Sequence, residues 1–103
     1  MNKETLKRFD IYIGCNVDGK EKHTRAEVRS IVGQALTELG FSGCTFTEAI
    51  GMWQGESEQR VICTVCTDRE QAIYVVAGLI KDRLQQESVM IVKSEPQITF
   101  ISY

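Results

Sequence analysis

The sequence predicts one α+β domain in which two helices cover one face of an antiparallel sheet. Two stretches of the 103 residues place apolar side chains at helical spacing, and four shorter stretches alternate or are rich in β-branched residues. Their order is strand, helix, strand, strand, helix, strand. Two helices of this length cover only one sheet face, so the other face is predicted to lie open.

The first half of the chain contains a strand followed by a capped helix. Apolar and polar residues alternate over residues 9–17, as in a strand with one buried face. Thr24 and Glu27 form a T-x-x-E capping box, which satisfies free amides at a helix start. Apolar residues then recur at helical spacing up to Leu39, and Gly40 supplies the left-handed residue that ends a helix.

A hairpin is predicted after the first helix. Residues 44–53 are extended, residues 54–59 form a turn, and residues 61–67 return as a strand rich in β-branched side chains. Strict alternation places Glu48 on the helix-covered face, where an unpaired charge is costly. We therefore expect a bulge near Gly51 that returns Glu48 to solvent. The alternative is a buried Glu48 with a raised pKa, which would be a candidate functional residue. The other acids close to the strands are Glu56, Glu58 and Glu87.

A second helix and a last strand complete the predicted fold. Asp68 and Gln71 form a D-x-x-Q variant of the capping box, and apolar residues recur at helical spacing up to Leu84. Residues 89–93 form the fourth strand, and residues 98–103 are a candidate short edge strand. The order βαββαβ predicts a ferredoxin-like sandwich as the fold of the whole chain.

Charge and hydropathy narrow the range of partners. The chain has 12 basic and 14 acidic residues, so we expect no nucleic-acid partner, which would need clustered cations. The longest apolar run, residues 73–80, is far shorter than the roughly 20 residues that span a membrane. Residues 1–8 contain no apolar signal segment, so we expect a cytoplasmic protein with reduced cysteines.

Two short motifs match functional patterns but fail on geometry. Residues 14–21 match the G-x-x-x-x-G-K core of a phosphate-binding loop, yet Glu21 stands where such a loop has Ser or Thr. We interpret this segment as a turn between strand and helix. Cys63 and Cys66 form a C-x-x-C motif, but residues three apart in a strand point to opposite faces. We therefore expect packed thiols, with no metal and no cofactor.

The loop before the first helix is a candidate anion site. It holds three cationic side chains around the only histidine, and a helix start with free amides favours an anion. The candidate residues are Lys20, Lys22, His23 and Arg25. The alternative is a solvated loop, because helix starts commonly carry unused amides.

The open sheet face is a candidate partner surface. By alternation it carries more apolar side chains than a solvated face needs, with a tryptophan near the hairpin as a possible anchor. The candidate residues are Tyr12, Thr47, Trp53, Ile62, Thr64 and Met90. We expect self-association as a dimer or trimer, or a protein partner. The alternative is a set of scattered surface hydrophobes.

Part of the chain resembles PII-like signalling proteins. The resemblance is carried by LGFSGCTFTE at residues 39–48, by the later VICTVCTD and by the second helix. It implies a ferredoxin-like trimer that binds nucleotides in clefts between subunits, using a long loop between the second and third strands. In this chain the corresponding connection, residues 51–59, is a tight hairpin.

A second resemblance covers most of the chain. QESVMIV at residues 86–92 and the G-x-W formed by Gly51 and Trp53 are similar to motifs of small bacterial and phage domains of unknown function. These domains have a G-x-W hairpin and a Q-(E/Q)-S-V segment that leads into the last strand. The resemblance implies no activity.

The sequence favours a non-catalytic protein-binding or regulatory module that acts through the open sheet face. One alternative is a small-molecule sensor of PII-like type that binds a nucleotide or an anion. Another is a phage-type inhibitor of a host defence protein. An enzyme is the least expected class, because no convergent acid, base or nucleophile set is visible.

Overall fold

The structure is a computed structural model that describes residues 6–102, apart from the side chain of Trp53. Its fold is α+β, as predicted. The elements are β1 (Lys7–Gly14), β2 (Asn16–Val17), β3 (Lys20–Glu21), α1 (Arg25–Glu38), β4 (Thr45–Trp53), β5 (Glu56–Thr67), α2 (Glu70–Arg83) and β6 (Met90–Ser94). Within the described range, neither helix is long and apolar enough to cross a membrane.

Four strands form an antiparallel sheet in the order β4-β5-β1-β6. The central strand β1 places Phe9, Ile11 and Ile13 on one face, and all three are fully buried. The apolar stripes of both helices pack with them in a single core. Because side chains alternate across a strand, the opposite face carries the even-numbered residues of β1 and β5. Within residues 6–102 no helix covers that face, which confirms the predicted arrangement of two layers.

The two helix starts differ from each other. The capping box of α1 is confirmed, since Thr24 Oγ1 accepts from the Glu27 amide at 3.1 Å. The predicted cap at Asp68 is wrong, because α2 begins after Arg69 with no side-chain cap. The reason lies in Thr67, whose hydroxyl accepts from the Arg69 amide at 3.1 Å and shifts the helix start by one residue. The Arg69 guanidinium lies 4.5 Å over the ring of Phe41.

The expected bulge in the hairpin is also wrong. The pairing of β4 with β5 runs without interruption from Thr45 to Trp53, so Glu48 stays on the helix side of the sheet. Its side chain is 51% exposed and bonds Arg29 Nη1 at 2.7 Å, with Arg25 Nη1 at 3.5 Å. An edge strand leaves room for these α1 arginines, so the carboxylate is paired without any change of register.

The segment after β1 forms a second hairpin that the sequence analysis did not predict. The first strand ends at Gly14, and β2 and β3 pair around a turn at Asp18 and Gly19, where φ is 53° and 78°. The Cys15 carbonyl accepts from two backbone amides beyond the turn, which folds the hairpin back. The phosphate-loop match is therefore a turn, as interpreted. Residues 98–102 form no strand, so that expectation is wrong for the part described.

The cysteines lie where the alternation placed them. Cys15 and Cys63 are buried on the helix side, and Cys66 is exposed on the opposite face. Burial raises the pKa of both buried thiols, and contact with Cys44 adds to the effect at Cys63. Cys63 is therefore a packed thiol, as interpreted, and its C-x-x-C partner Cys66 lies on the other face of the sheet.

Candidate functional site

A groove opens at one end of the sheet, on the face that carries no helix. Its walls are the β2–β3 hairpin, the β4–β5 hairpin and the connection of residues 85–88 between α2 and β6. Its volume of about 700 Å³ lies within the range of small-molecule sites. We call it the hairpin groove, and its lining includes Tyr12, Asn16, Asp18, Glu56, Glu58, Arg60, Gln86 and Glu87.

Glu58 lies on the floor of the hairpin groove and is held by two partners. One carboxylate oxygen accepts from the backbone amide of Asn16 at 3.1 Å, and the other pairs with Arg60 Nε at 3.3 Å. The side chain is only 18% exposed. Because β5 alternates, Glu58 and Arg60 point to the same face two residues apart. The groove therefore presents a fixed anion beside a fixed cation.

Two glycines leave the space that this pair occupies. A Cβ on Gly14 of β1 would lie 2.6 Å from Cδ of Glu58, and a Cβ on Gly51 of β4 would lie 2.7 Å from Cδ of Arg60. Both distances are shorter than real Cβ contacts. The glycines on the strands flanking β5 thus let the two charged side chains lie flat over the sheet.

Replacing Gly14 with Ala is expected to displace the Glu58 carboxylate from the Asn16 amide. The new methyl meets the flexible end of Glu58 rather than backbone, so the free energy of unfolding should change by less than about 1 kcal/mol. An amide proton NMR spectrum should show the Asn16 resonance shift as its hydrogen bond is lost. Gly43→Ala is the matched control, because a Cβ there meets nothing within 4 Å. An Asn16 resonance that stays in place in Gly14→Ala would contradict this packing.

The hairpin groove is acidic. Its described lining holds four carboxylates and one guanidinium, those of Asp18, Glu56, Glu58, Glu87 and Arg60. A concave wall with an excess of one charge concentrates ligands of the opposite charge. In residues 6–102, no three His, Cys, Asp or Glu side chains come close enough to hold a metal ion. The site thus suits a ligand that carries a positive charge and polar groups.

The predicted partner surface lies on the same face as the groove. The register places Met90, Tyr12, Ile62 and Thr47 side by side across the four strands. Thr64 lies further along β5, beside Asp10, whose carboxylate accepts from the Thr64 hydroxyl at 2.6 Å. The side chain of Trp53 lies outside the described part of the chain. The five residues other than Trp53 share this face, and their role as a partner surface stays a prediction.

Three of the four side chains of the predicted anion site contact protein groups. Lys22 Nζ donates to Gln85 Oε1 at 2.6 Å, and His23 Nε2 lies 3.0 Å from the Leu84 carbonyl. Arg25 points to β4, where it donates to the Ala49 carbonyl at 2.7 Å. Lys20 is exposed on β3. Binding of an anion by these four residues stays a prediction.

The sequence analysis noted Glu58 as an acid close to the strands but did not identify its site. The signal was present in the alternation, since an E-x-R pair on β5 faces glycines on both neighbouring strands. It is visible only once the pairing of strands distant in sequence is known. The Asn16 amide completes the site from a hairpin that was not predicted.

Comparison with known proteins adds information on the fold. No protein-family model matches the chain, and no curated protein matches it. A phage SAM lyase in complex with S-methyl-5'-thioadenosine is 18% identical, with a TM-score of 0.75 over 88% of this chain and 81% of that chain. The chain shares its fold with SAM lyase. The apo phage SAM lyase gives 19% identity and a TM-score of 0.69 over 92% and 85% of the two chains.

A second enzyme shows a weaker likeness. The adenosylmethionine decarboxylase from Aquifex aeolicus is 13% identical, with a TM-score of 0.54 over 99% of this chain and 98% of that chain. All three of these structures are enzymes named for S-adenosylmethionine. The prediction of a non-catalytic binding or regulatory module is wrong, because these matching structures are enzymes.

Proposed function

We propose that this chain is an enzyme that binds S-adenosylmethionine in the hairpin groove and cleaves it to S-methyl-5'-thioadenosine. One observation carries the proposal. The ordered Glu58–Arg60 pair lies in an acidic groove of a chain that shares its fold with a phage SAM lyase holding that nucleoside. We also propose the ferredoxin-like class for this fold, supported by a sheet in which the last strand pairs with the first.

The charge of the substrate suits the hairpin groove. S-adenosylmethionine carries a sulfonium, an ammonium and one carboxylate, so its net charge is positive. In this proposal Glu58 holds the ammonium and Arg60 holds the carboxylate, and the neighbouring anion and cation in the groove support these roles. The remaining acids attract the sulfonium end. The product is a neutral thioether that loses this attraction and leaves.

The proposed reaction breaks the bond from sulfur to the amino-acid side chain. The electron pair of that bond stays on sulfur, which becomes neutral and needs no proton. The amino-acid fragment then completes its valence in one of two ways. Either its own carboxylate oxygen forms a bond to the carbon that sulfur leaves, or the neighbouring carbon loses a proton to a groove carboxylate. The first route gives a lactone and the second an unsaturated amino acid.

Incubation of the purified protein with S-adenosylmethionine tests the proposal. Reverse-phase chromatography should show S-methyl-5'-thioadenosine formed in proportion to enzyme and well above a blank without protein. Mass spectrometry of the other fragment separates the lactone from the unsaturated amino acid. Decarboxylated S-adenosylmethionine as the product would replace lyase chemistry by decarboxylation. Unchanged substrate would contradict the proposal.

We propose in addition that the enzyme self-associates through the sheet face that carries no helix. Exposed apolar side chains on this face support the proposal. Met90 is 52% exposed, and Val92, two residues further along β6, is 42% exposed. Burial of such apolar area on association is favourable. Light scattering should give a mass above that of one 11.6 kDa chain, and a monomer would contradict the proposal.

A further inference from the structure

The Gln86 side chain joins two walls of the hairpin groove. Gln86 follows α2, and its Nε2 donates to the Asn16 carbonyl at 3.0 Å, with the Leu84 carbonyl at 3.4 Å. The backbone amide of Gln86 donates to the Lys81 carbonyl at 2.9 Å, so the backbone of Gln86 is fixed to the end of α2. The side chain therefore reaches from a rigid helix end to β2, seventy positions earlier in the chain.

Asn16 is held on both sides. The backbone carbonyl of Asn16 accepts from the Gln86 side chain, and the backbone amide of Asn16 donates to the Glu58 carboxylate at 3.1 Å. The second carboxylate oxygen of Glu58 pairs with Arg60. A continuous path of hydrogen bonds thus runs from the end of α2, through Asn16, to the charged pair on the groove floor.

We infer that Gln86 is a positioning residue, which fixes Asn16 so that its amide aims at Glu58. This inference rests on the proposed function, in which Glu58 holds the ammonium of the substrate. A site works best when its charged groups are held by a second set of hydrogen bonds. The inference also gives the QESV segment a structural role. Its first residue, Gln86, lies between α2 and β6 and also binds β2.

The side-chain amide is the feature that matters. A glutamate at position 86 has the same length and shape but no N–H donor, and its carboxylate repels the Asn16 carbonyl. Gln85 provides a matched control, since it accepts from Lys22 through Oε1, an oxygen that glutamate retains. Gln86→Glu and Gln85→Glu therefore make the same change of charge on adjacent residues, and only the first removes the donor to β2.

Backbone amide hydrogen exchange, followed by NMR, is the test. Exchange of the Asn16 amide is expected to rise about tenfold in Gln86→Glu and to stay near the wild-type rate in Gln85→Glu. The Cys15 amide, which donates to the Gln59 carbonyl at 3.0 Å, should keep its protection in both variants and so reports that the hairpin is folded. In turnover assays of Gln86→Glu, KM should rise more than kcat falls.

The outcomes separate this inference from the proposed function. If the wild-type protein forms S-methyl-5'-thioadenosine but Asn16 exchange is the same in both variants, Gln86 does not position the site and the inference falls. If the wild-type protein is inactive yet Asn16 exchange rises only in Gln86→Glu, the result supports the positioning of Asn16 by Gln86 and contradicts the proposed function. Loss of Cys15 protection together with Asn16 in Gln86→Glu would show a general effect on the hairpin and would overturn the inference.

Discussion

Replacing Glu58 with Gln is expected to lower kcat/KM for S-adenosylmethionine about 100-fold. The glutamine keeps the size of the side chain but removes the charge that, in the proposed function, holds the substrate ammonium. It also removes the carboxylate partner of the Arg60 guanidinium, which lies 3.3 Å from Arg60 Nε in the unmodified protein. Because the ammonium keeps its charge throughout the reaction, most of the loss should be a rise in KM. Initial rates of S-methyl-5'-thioadenosine formation at several substrate concentrations measure both constants.

Glu95→Gln is the matched control for this variant. It removes the same charge from an exposed residue that does not line the hairpin groove, so kcat/KM should stay within about twofold of wild type. Equal losses in the two variants would assign the effect to the net charge of the chain. Wild-type kinetics in Glu58→Gln would show that Glu58 does not hold the substrate.

Local patterns predicted most of the fold. The helical stripes and the alternation of β1 depend only on neighbours in the sequence, and both are found in the structure. The errors arose where specific side-chain contacts decided the outcome. Arg25 and Arg29 keep Glu48 on its face without a bulge, and the Thr67 hydroxyl moves the start of α2. These contacts have no periodic signature, so pattern analysis missed them.

The candidate site was far less predictable than the fold. Its charged pair comes from β5, its amide from β2 and its Gln86 from the connection after α2. No segment of the chain contains more than a part of it, so a search for short motifs found the phosphate-loop match instead. The groove exists because strand order brings the ends of three connections together. The proposed enzyme function depends on the shared fold, which no motif in the sequence indicated.

Replacing Phe9 with Ala is expected to lower the free energy of unfolding by about 3–5 kcal/mol. Phe9 is fully buried on the central strand, between its partners Val65 and Lys93 and beneath the helices. Removal of the ring leaves a cavity that a close-packed core does not fill. The loss is a large part of the roughly 5–15 kcal/mol that stabilises a domain. Urea unfolding followed by circular dichroism should show a lower midpoint with an unchanged slope.

Phe100→Ala makes the same chemical change on a side chain that is 82% exposed. In a monomer it should alter the free energy of unfolding by less than about 0.5 kcal/mol, so the contrast isolates the effect of burial. A small loss in Phe9→Ala would contradict the position of Phe9 in the core. A large loss in Phe100→Ala that grows with protein concentration would place this phenylalanine in a contact between copies of the chain, because mass action makes the stability of an oligomer depend on concentration.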